Sequence, residues 1–468
     1  MKRVAIVAGL LVLIALLAFI PPQNTIVLKD DGFHPRVLTV SVGDTVTFTN
    51  ARDKYFWPAS DFHPTHALYP EFDAKEPLAP GQSYAITFTE PGTYPFHDHL
   101  AAFYFGIVQV QDADGRVVDD CMEKGGQFQC WQNKLFLTLA TEGIDRTYEE
   151  VATLYEEDPA FSGSCHYAAH NIGLASYQFY QKDTDFILSP RATACAAGFY
   201  HGFMEGYIGA TGDIEGAAEV CDTIGARIGE EAPDARLQCY HGIGHGAVES
   251  AVATSGSFGS QQSFVDAALS SCEEVADGEQ ELYRCVSGVF NGIANFYIIG
   301  AYGLSVKDDP LLLCANQPEV YKEACYGNMN SVVYYEARGE FTPAVEEVFS
   351  IPDVTERPKA LEYLLLLFAL NHIQDESLAP LIQECQALPD SYVASCLGGL
   401  VRGLLEHGIP GKEYEKALNL CRESTLTAAE RDACYAIVLT GADGWYGAEK
   451  VKEICASVPV QEQAYCTP

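Results

Sequence analysis

Sixteen cysteines, none of them before position 121, constrain this chain more than any other feature. They fall into neighbouring couples: Cys121/Cys130, Cys165/Cys195, Cys221/Cys239, Cys272/Cys285, Cys314/Cys325, Cys385/Cys396, Cys421/Cys434 and Cys455/Cys466. An even number at short spacing is expected of a disulfide framework formed in an oxidising compartment. A thiolate zinc site would need tight C-x2-C couples, and the sequence has none. Eight local disulfides are therefore expected.

Several of these cysteines open a recurring phrase. Cys195-Ala-Ala-Gly198-Phe-Tyr-His-Gly202, Cys239-Tyr-His-Gly242-Ile-Gly-His-Gly246, Cys285-Val-Ser-Gly288-Val-Phe-Asn-Gly292 and Cys396-Leu-Gly-Gly399-Leu-Val-Arg-Gly403 share it, and degenerate copies begin at Cys325 and Cys434. The opening cysteines of the first three copies stand 44 and 46 residues apart, a spacing that marks a repeat protein. Between Cys325 and Cys396 there is room for an extra unit without cysteine, whose buried helix would be ALEYLLLLFALNH. Each unit reads as a helix ending near its first Cys, a short turn, and a second helix beginning near its second Cys. Glycines four apart share one helical face and let neighbouring helices approach closely. The expectation for 161–468 is an all-α, disulfide-stapled repeat, an α-α solenoid or toroid.

The chain carries 28 Lys and Arg against 64 Asp and Glu, a formal net charge of -36, while 48% of its residues are hydrophobic. That composition builds cores, and the acidity argues against a nucleic-acid partner, which would need cations to neutralise phosphates. Lys2 and Arg3 precede an unbroken apolar run over 4–20, closed by Pro21 and Pro22. Such a run reads as a signal peptide or a short anchor. Lacking a clear small-x-small cleavage site, it is taken as a signal anchor or transmembrane segment over 1–22, tying the protein to a membrane with the rest facing the periplasm or cell exterior.

From 25 to 110 the pattern changes to short strands, at 25–28, 37–42, 45–49, 84–88, 92–97 and 106–110, separated by turns at Gly43-Asp44, Pro80-Gly81 and Pro91-Gly92. This is the signature of an all-β Greek-key sandwich or barrel. The wording GFHPRVLTVSVGDTVTFTN, followed by LAPGQSYAITFTEPGTYPFHDHLAAFYFGIVQV, resembles the cupredoxin family over 24–112. The resemblance implies a copper-binding sandwich serving electron transfer or copper handling. In that family the last ligand loop carries a Cys, a His and often a Met. By the resemblance His99 stands at the place of the His, Phe96 at that of the Cys and Tyr104 near that of the Met. Without the thiolate no intense blue centre is expected.

The domain does offer imidazoles. His97 and His99 are two apart, so on a strand both would leave from one face. His63 and His66 lie on the long connection that supplies the upstream ligand in cupredoxins. Together these four suit a non-blue copper site. His34, in a turn before a Pro, is not expected to join them.

The helical repeat has its own histidines: His166 and His170 in CHYAAHNIG, His201 with Glu205 in FYHGFMEG, and His241, His245 and Glu249 in CYHGIGHGAVES. Each pair is spaced i,i+4, so both side chains point the same way from a helix and can share an ion. Later copies carry Asn291 and Arg402 at the place of His201 and His245, so the fold does not require His there. A second centre of His166, His170, His201, Glu205, His241 and His245 is expected, holding Cu, Zn, Fe or Mn. His372 and His407 read as isolated. No P-loop, Rossmann fingerprint, G-x-S-x-G, H-E-x-x-H or C-x-x-C-H occurs.

The domain reading is 1–22 anchor, 23–112 cupredoxin-like sandwich, 113–160 connection and 161–468 helical repeat. Its leading function is an extracytoplasmic metalloprotein for redox transfer or copper handling, with a redox or copper-handling protein as partner. The competing reading is a disulfide-stabilised scaffold that binds proteins, with a degenerate cupredoxin module and incidental histidines.

Overall fold

The computed structural model describes residues 24–466 except 62, 64, 65, 67, 119, 120, 125, 181, 182, 256–260, 302, 303, 306–309 and 410. The apolar run over 4–20 lies outside the described residues. Among the described residues no helix is long and apolar enough to cross a membrane. The chain divides into two compact units, at 141/142.

The first unit holds β1 (Thr25–Lys29), β2 (Gly32–His34), β3 (Val37–Ser41), β4 (Thr45–Asn50), β5 (Pro58–Ser60), β6 (Ser83–Thr87), β7 (Gly92–Asp98) and β8 (Ala101–Gln111). They form two four-stranded sheets, ordered β2-β1-β4-β6 and β3-β8-β7-β5. Each sheet contains one parallel pair, β1 with β4 and β3 with β8, so the chain passes between the sheets in Greek-key fashion. All six expected strands are present, and β2 and β5 are added. β8 begins at Ala101, well before the expected 106, because the β7–β8 hairpin is tight and pairs Asp98 with Ala101.

Alternating burial along β4 sends Val46 and Phe48 inward, and Phe48 meets Phe72 and Phe96. Phe96 packs edge-on against Phe33 at 4.8 Å and Phe48 at 5.0 Å. Such aromatic pairs add about 0.5–1.5 kcal/mol each to area burial. The segment expected as a connection carries helices α1 (Cys121–Lys124) and α2 (Gly126–Thr141), the latter stacking Phe136 on Phe105 of β8 at 5.2 Å.

The second unit starts with α3 (Ile144–Glu157), then α4 (Cys165–Tyr180), α5 (Gly198–Thr211), α6 (Ile214–Ile228), α7 (Ala235–Ser255), α8 (Gln261–Val275) and α9 (Glu279–Ile299). It continues with α10 (Pro310–Ala315), α11 (Glu319–Glu336), α12 (Phe341–Ser350), α13 (Arg357–Asn371), α14 (Ala379–Gln386), α15 (Asp390–His407), α16 (Glu413–Cys421), α17 (Ala428–Trp445) and α18 (Ala448–Ala456). One layer is the succession α4, α5, α7, α9, α11, α13, α15, α17, each packed on the next. Shorter helices such as α6, α8, α10 and α14 form the second layer, and the cysteine-free unit is α12 with α13.

All eight expected disulfides are formed, and no described cysteine is free. From Cys221–Cys239 onward most of them staple a short helix to the start of the long one that follows.

The row of helices closes on itself. Gln374, after α13, donates to Ser162 just before α4, and the His407 ring at the end of α15 lies 6.3 Å from the His166 ring on α4. Of the two architectures the sequence allowed for this region, the structure is the toroid.

The glycines of the repeat phrase hold neighbouring long helices in backbone contact. A Cβ on Gly202 of α5 would fall 1.9 Å from the His170 carbonyl oxygen of α4, and one on Gly244 of α7 would fall 2.0 Å from the Cys285 oxygen of α9. No side chain larger than hydrogen fits there.

Candidate metal centres

In the sandwich, β5 leads directly into Asp61 and the segment carrying His63 and His66. The end of β7 supplies His97 and the turn after it His99. His99 is not on the strand. It reaches the cluster because the register shifts between His97 and Asp98 and the chain turns at once.

One ligand atom from each of His63, His66, His97 and His99 lies within 4.8 Å of the others. The ring centres are ordered in a cycle. His63–His97 is 5.2 Å, His97–His66 5.4 Å, His66–His99 4.7 Å and His99–His63 5.0 Å, while His97 and His99 stand 6.5 Å apart across it. For metal–nitrogen bonds of about 2.0–2.1 Å, four imidazoles in one plane would set neighbouring ring centres about 4.5 Å apart and opposite ones about 6.4 Å. A tetrahedral set would make every separation about 5.2 Å. The four edges lie nearer the tetrahedral value while the 6.5 Å separation matches the planar diagonal, a flattened set of imidazoles open to Cu(II) or Zn(II).

Carboxylates orient these rings. His97 Nδ1 is 2.9 Å from Asp61 Oδ1, and His66 Nδ1 is 3.1 Å from Asp73 Oδ2, which leaves each Nε2 turned to the cluster. The Trp57 indole N–H donates to the other oxygen of Asp73 at 2.7 Å, and the Trp57 ring lies 4.6 Å from that of His99. A metal-binding His is commonly held this way by a second-rank carboxylate.

Asp98, wholly buried between the two histidines, accepts the backbone N–H groups of Trp57 and Leu100 and pairs with Arg52 at 3.3 Å. Burial pushes its carboxyl up to about 6, against the pull of those partners. Burial lowers His99 to about 4, with His66 and His97 adding to the effect, and burial lowers His66 too, so these two imidazoles favour the neutral form, the form that binds metal. His66 itself sits in the left-handed region at φ 53°. That conformation is uncommon outside glycine and tends to persist where surroundings impose it.

Phe96 points into the core, and Tyr104 donates to the Asp30 carbonyl at 2.7 Å. With every cysteine in a disulfide, the donor set is nitrogen alone. His34 is exposed and paired with Asp31.

In the helical unit, α4, α5 and α7 bring their histidines together because glycines let the backbones touch. Two sets form, each with ligand atoms within 4.8 Å of one another: His201 with His241 and His245, and His170 with Glu205 and His245. The first three rings are 4.5, 5.2 and 5.2 Å apart, as three imidazoles at roughly tetrahedral angles about one ion would be.

Glu205 Oε1 is 3.0 Å from His170 Nε2 and 3.1 Å from His245 Nδ1. Burial alone would raise Glu205, but His170 and His245 hold it below the ordinary carboxylate range, and Glu205 in turn raises His170 despite burial. Burial, reinforced by neighbouring imidazoles, puts His201 and His241 well below the usual histidine value.

Both ring nitrogens of His201 and Nε2 of His245 are buried without a hydrogen-bond partner. Leaving a buried polar atom unmatched costs about 1–3 kcal/mol, so such atoms call for an explanation. A bound cation supplies one.

His166 belongs to neither set, although its ring is 5.0 Å from that of His201. Its Nδ1 donates to the Cys195 carbonyl at 2.9 Å, presented by three successive left-handed residues, Cys195, Ala196 and Ala197. His407 is not isolated as its sequence position implied, since ring closure sets it beside His166. His372 is exposed and bonded to Asp375. At the later repeats Asn291 bonds Asn328, and Arg402 pairs with Glu362.

Sequence reasoning missed Asp61, Asp73, Asp98 and Trp57. The available signal was the presence of acidic residues in the same connection, 61–73, as the upstream histidines.

The model for the cupredoxin-like domain matches residues 4–108. Among solved structures, the chain is similar to a novel purple cupredoxin from Nitrosopumilus maritimus, at 23% identity over 19% of this chain and 100% of that one, TM-score 0.18. It is also similar to the Cu(I) form of a methionine-to-alanine mutant of amicyanin, at 27% over 20% and 88%, TM-score 0.18. No curated protein matches the chain. The family match makes the sandwich a cupredoxin-like domain, and the disulfide-stapled helical unit lies outside the matched region.

Proposed function

We propose that this is an extracytoplasmic metalloprotein whose cupredoxin-like domain binds copper at a non-blue, all-histidine site for redox transfer or copper handling, and whose helical unit carries a second His/Glu metal centre. The observation that carries the reading is the convergence of four imidazoles, one ligand atom of each within 4.8 Å of the others, in a cupredoxin-like sandwich, a nitrogen set that suits Cu(II).

His63, His66, His97 and His99 would hold the ion, and copper there would supply one-electron chemistry. Asp61 and Asp73 fix the tautomers of His97 and His66, and Asp98 ties the ligand turn to the loop before β5. Eight disulfides support an oxidising compartment. The apolar run over 4–20 would serve as the anchor, and a redox or copper-handling protein as the partner. The two unmatched ring nitrogens of His201 weigh against the scaffold reading, because an incidental core histidine would keep at least one partner.

The test is to load the full chain with Cu(II), desalt it, and record metal content, visible absorption and EPR. At least one copper per chain, a weak visible band and an axial spectrum with nitrogen couplings are expected. His97→Ala with His99→Ala should lower the copper content by one per chain and remove the axial component, leaving only copper held in the helical unit. An intense blue band, or an unchanged copper content and spectrum in the double variant, would refute the assignment.

A further inference from the structure

We propose that the helical unit holds two metal ions bridged by the imidazole of His245, one shared with His201 and His241 on its Nε2 side, the other with His170 and Glu205 on its Nδ1 side. This rests on reading the helical histidines as a metal centre and adds the number of ions and the bridge between them.

The two donor sets have His245 as their one common member. The two nitrogens of that ring face different partners. Nδ1 lies 3.1 Å from Glu205 Oε1, whereas Nε2 is buried and unmatched, on a ring 5.2 Å from both His201 and His241. With Nδ1 directed at Glu205, Nε2 is the nitrogen left for the first set. A single ion in the first set would account for Nε2 and for one nitrogen of His201, but would leave His170 and His245 both aimed at one oxygen of Glu205.

That second arrangement is a metal site filled with protons. His170 Nε2 and His245 Nδ1 converge on the same carboxylate oxygen from 3.0 and 3.1 Å, and the His170 and His245 rings are 5.7 Å apart. When a divalent ion enters on this side, a doubly protonated His170 gives up its Nε2 proton and keeps the one on Nδ1, and His245 gives up its Nδ1 proton to become an imidazolate, both protons leaving to solvent. Two positive charges go out and two come in on the Nδ1 side, so the buried charge there does not change. This matters because an uncompensated charge in such an interior costs several kcal/mol. Ligands suited to both sides are borderline divalent ions that accept imidazole and carboxylate together, such as Cu(II) and Zn(II).

The experiment uses the full chain carrying His97→Ala and His99→Ala, with His63→Ala and His66→Ala as a second background, each checked for folding by circular dichroism. Loaded with Cu(II) or Zn(II) and desalted, it should retain two ions per chain. The Cu(II) pair should be exchange-coupled through the imidazolate, so that the double-integrated EPR signal falls well short of the copper present. Adding Glu205→Gln should lower the count to one and restore an uncoupled spectrum. A count of one in the background, or two ions with independent spectra, overturns the bridge and leaves a mononuclear centre. A count of zero in both backgrounds, while the unaltered chain still binds copper, overturns the helical centre itself.

Discussion

Gly202→Ala separates close helix packing from incidental proximity in the helical unit. A Cβ at this position would sit 1.9 Å from the His170 carbonyl oxygen and 2.7 Å from the Leu174 amide nitrogen, both backbone atoms that no rotamer change can remove. Carbon–oxygen contacts settle near 3.3 Å or more, so α4 and α5 must part locally by roughly 1.4 Å.

Overpacking of this kind costs about 1–3 kcal/mol. For a unit of roughly 330 residues, an unfolding entropy of about 2.1 cal/mol/K per residue makes 1 kcal/mol worth about 1.5 °C, so melting should fall by about 1.5–4 °C. The effect on metal binding should be larger. Gly202 lies between His201 and the turn bearing Glu205, and metal bonds tolerate displacements of only about 0.2 Å. Affinity at the helical centre should therefore drop at least about tenfold.

Gly209 on the same helix is the control, because a Cβ there meets nothing within 4 Å. Gly209→Ala should be neutral or stabilise by up to about 1 kcal/mol. Calorimetry of the metal-free full chain and a competition titration read the two quantities. Equal melting temperatures for the two variants, with metal affinity intact in Gly202→Ala, would refute the claim that backbone contact assembles the centre.

Asp61→Asn and Asp73→Asn should each weaken Cu(II) binding to the cupredoxin-like domain by about 10–100-fold while the tetragonal EPR pattern persists, because these carboxylates orient ligands rather than bind the ion; a chelator competition with unchanged affinity would remove that role. Burial places His99 and His407 at about 4 and His166 at about 3, below the unfolded value of about 6.5, so the metal-free fold keeps these groups neutral. Their contribution is fully present above pH ~6.5 and is lost as pH falls toward ~4 to 3, where the unfolded chain binds more protons; urea midpoints that stay flat across that window would contradict the assignment. Phe96→Ala should destabilise the sandwich by about 3–5 kcal/mol and create no copper ligand; a small loss in chemical denaturation would show that Phe96 is not the centre of the core.

Contacts between near neighbours were legible without the structure. The eight disulfides join cysteines 9 to 30 residues apart, and a short loop closes at modest entropic cost whatever the rest of the chain does. The repeat period, its glycines and the i,i+4 histidines follow from helical geometry alone, and turn residues with alternating strands delimited the sandwich. The cluster of His63, His66, His97 and His99 could be named as a set because each motif lies within a single segment of the fold.

What spans the chain was decided only by tertiary packing. Three helices meet at backbone distance before His170, Glu205, His201, His241 and His245 sort into two sets around one shared ring, and nothing local distinguishes His166, which stays outside both. Closure of the toroid brings His407 to His166 across 241 residues of sequence, a contact that depends on the accumulated rotation of every intervening helix pair. Asp61 and Asp73 read as ordinary acidic loop residues until β5 and β7 pair and point them at His97 and His66. Side-chain chemistry is written residue by residue, but ligand sets and the carboxylates that orient them are fixed by distances between separate elements, and those distances exist only once the core has packed.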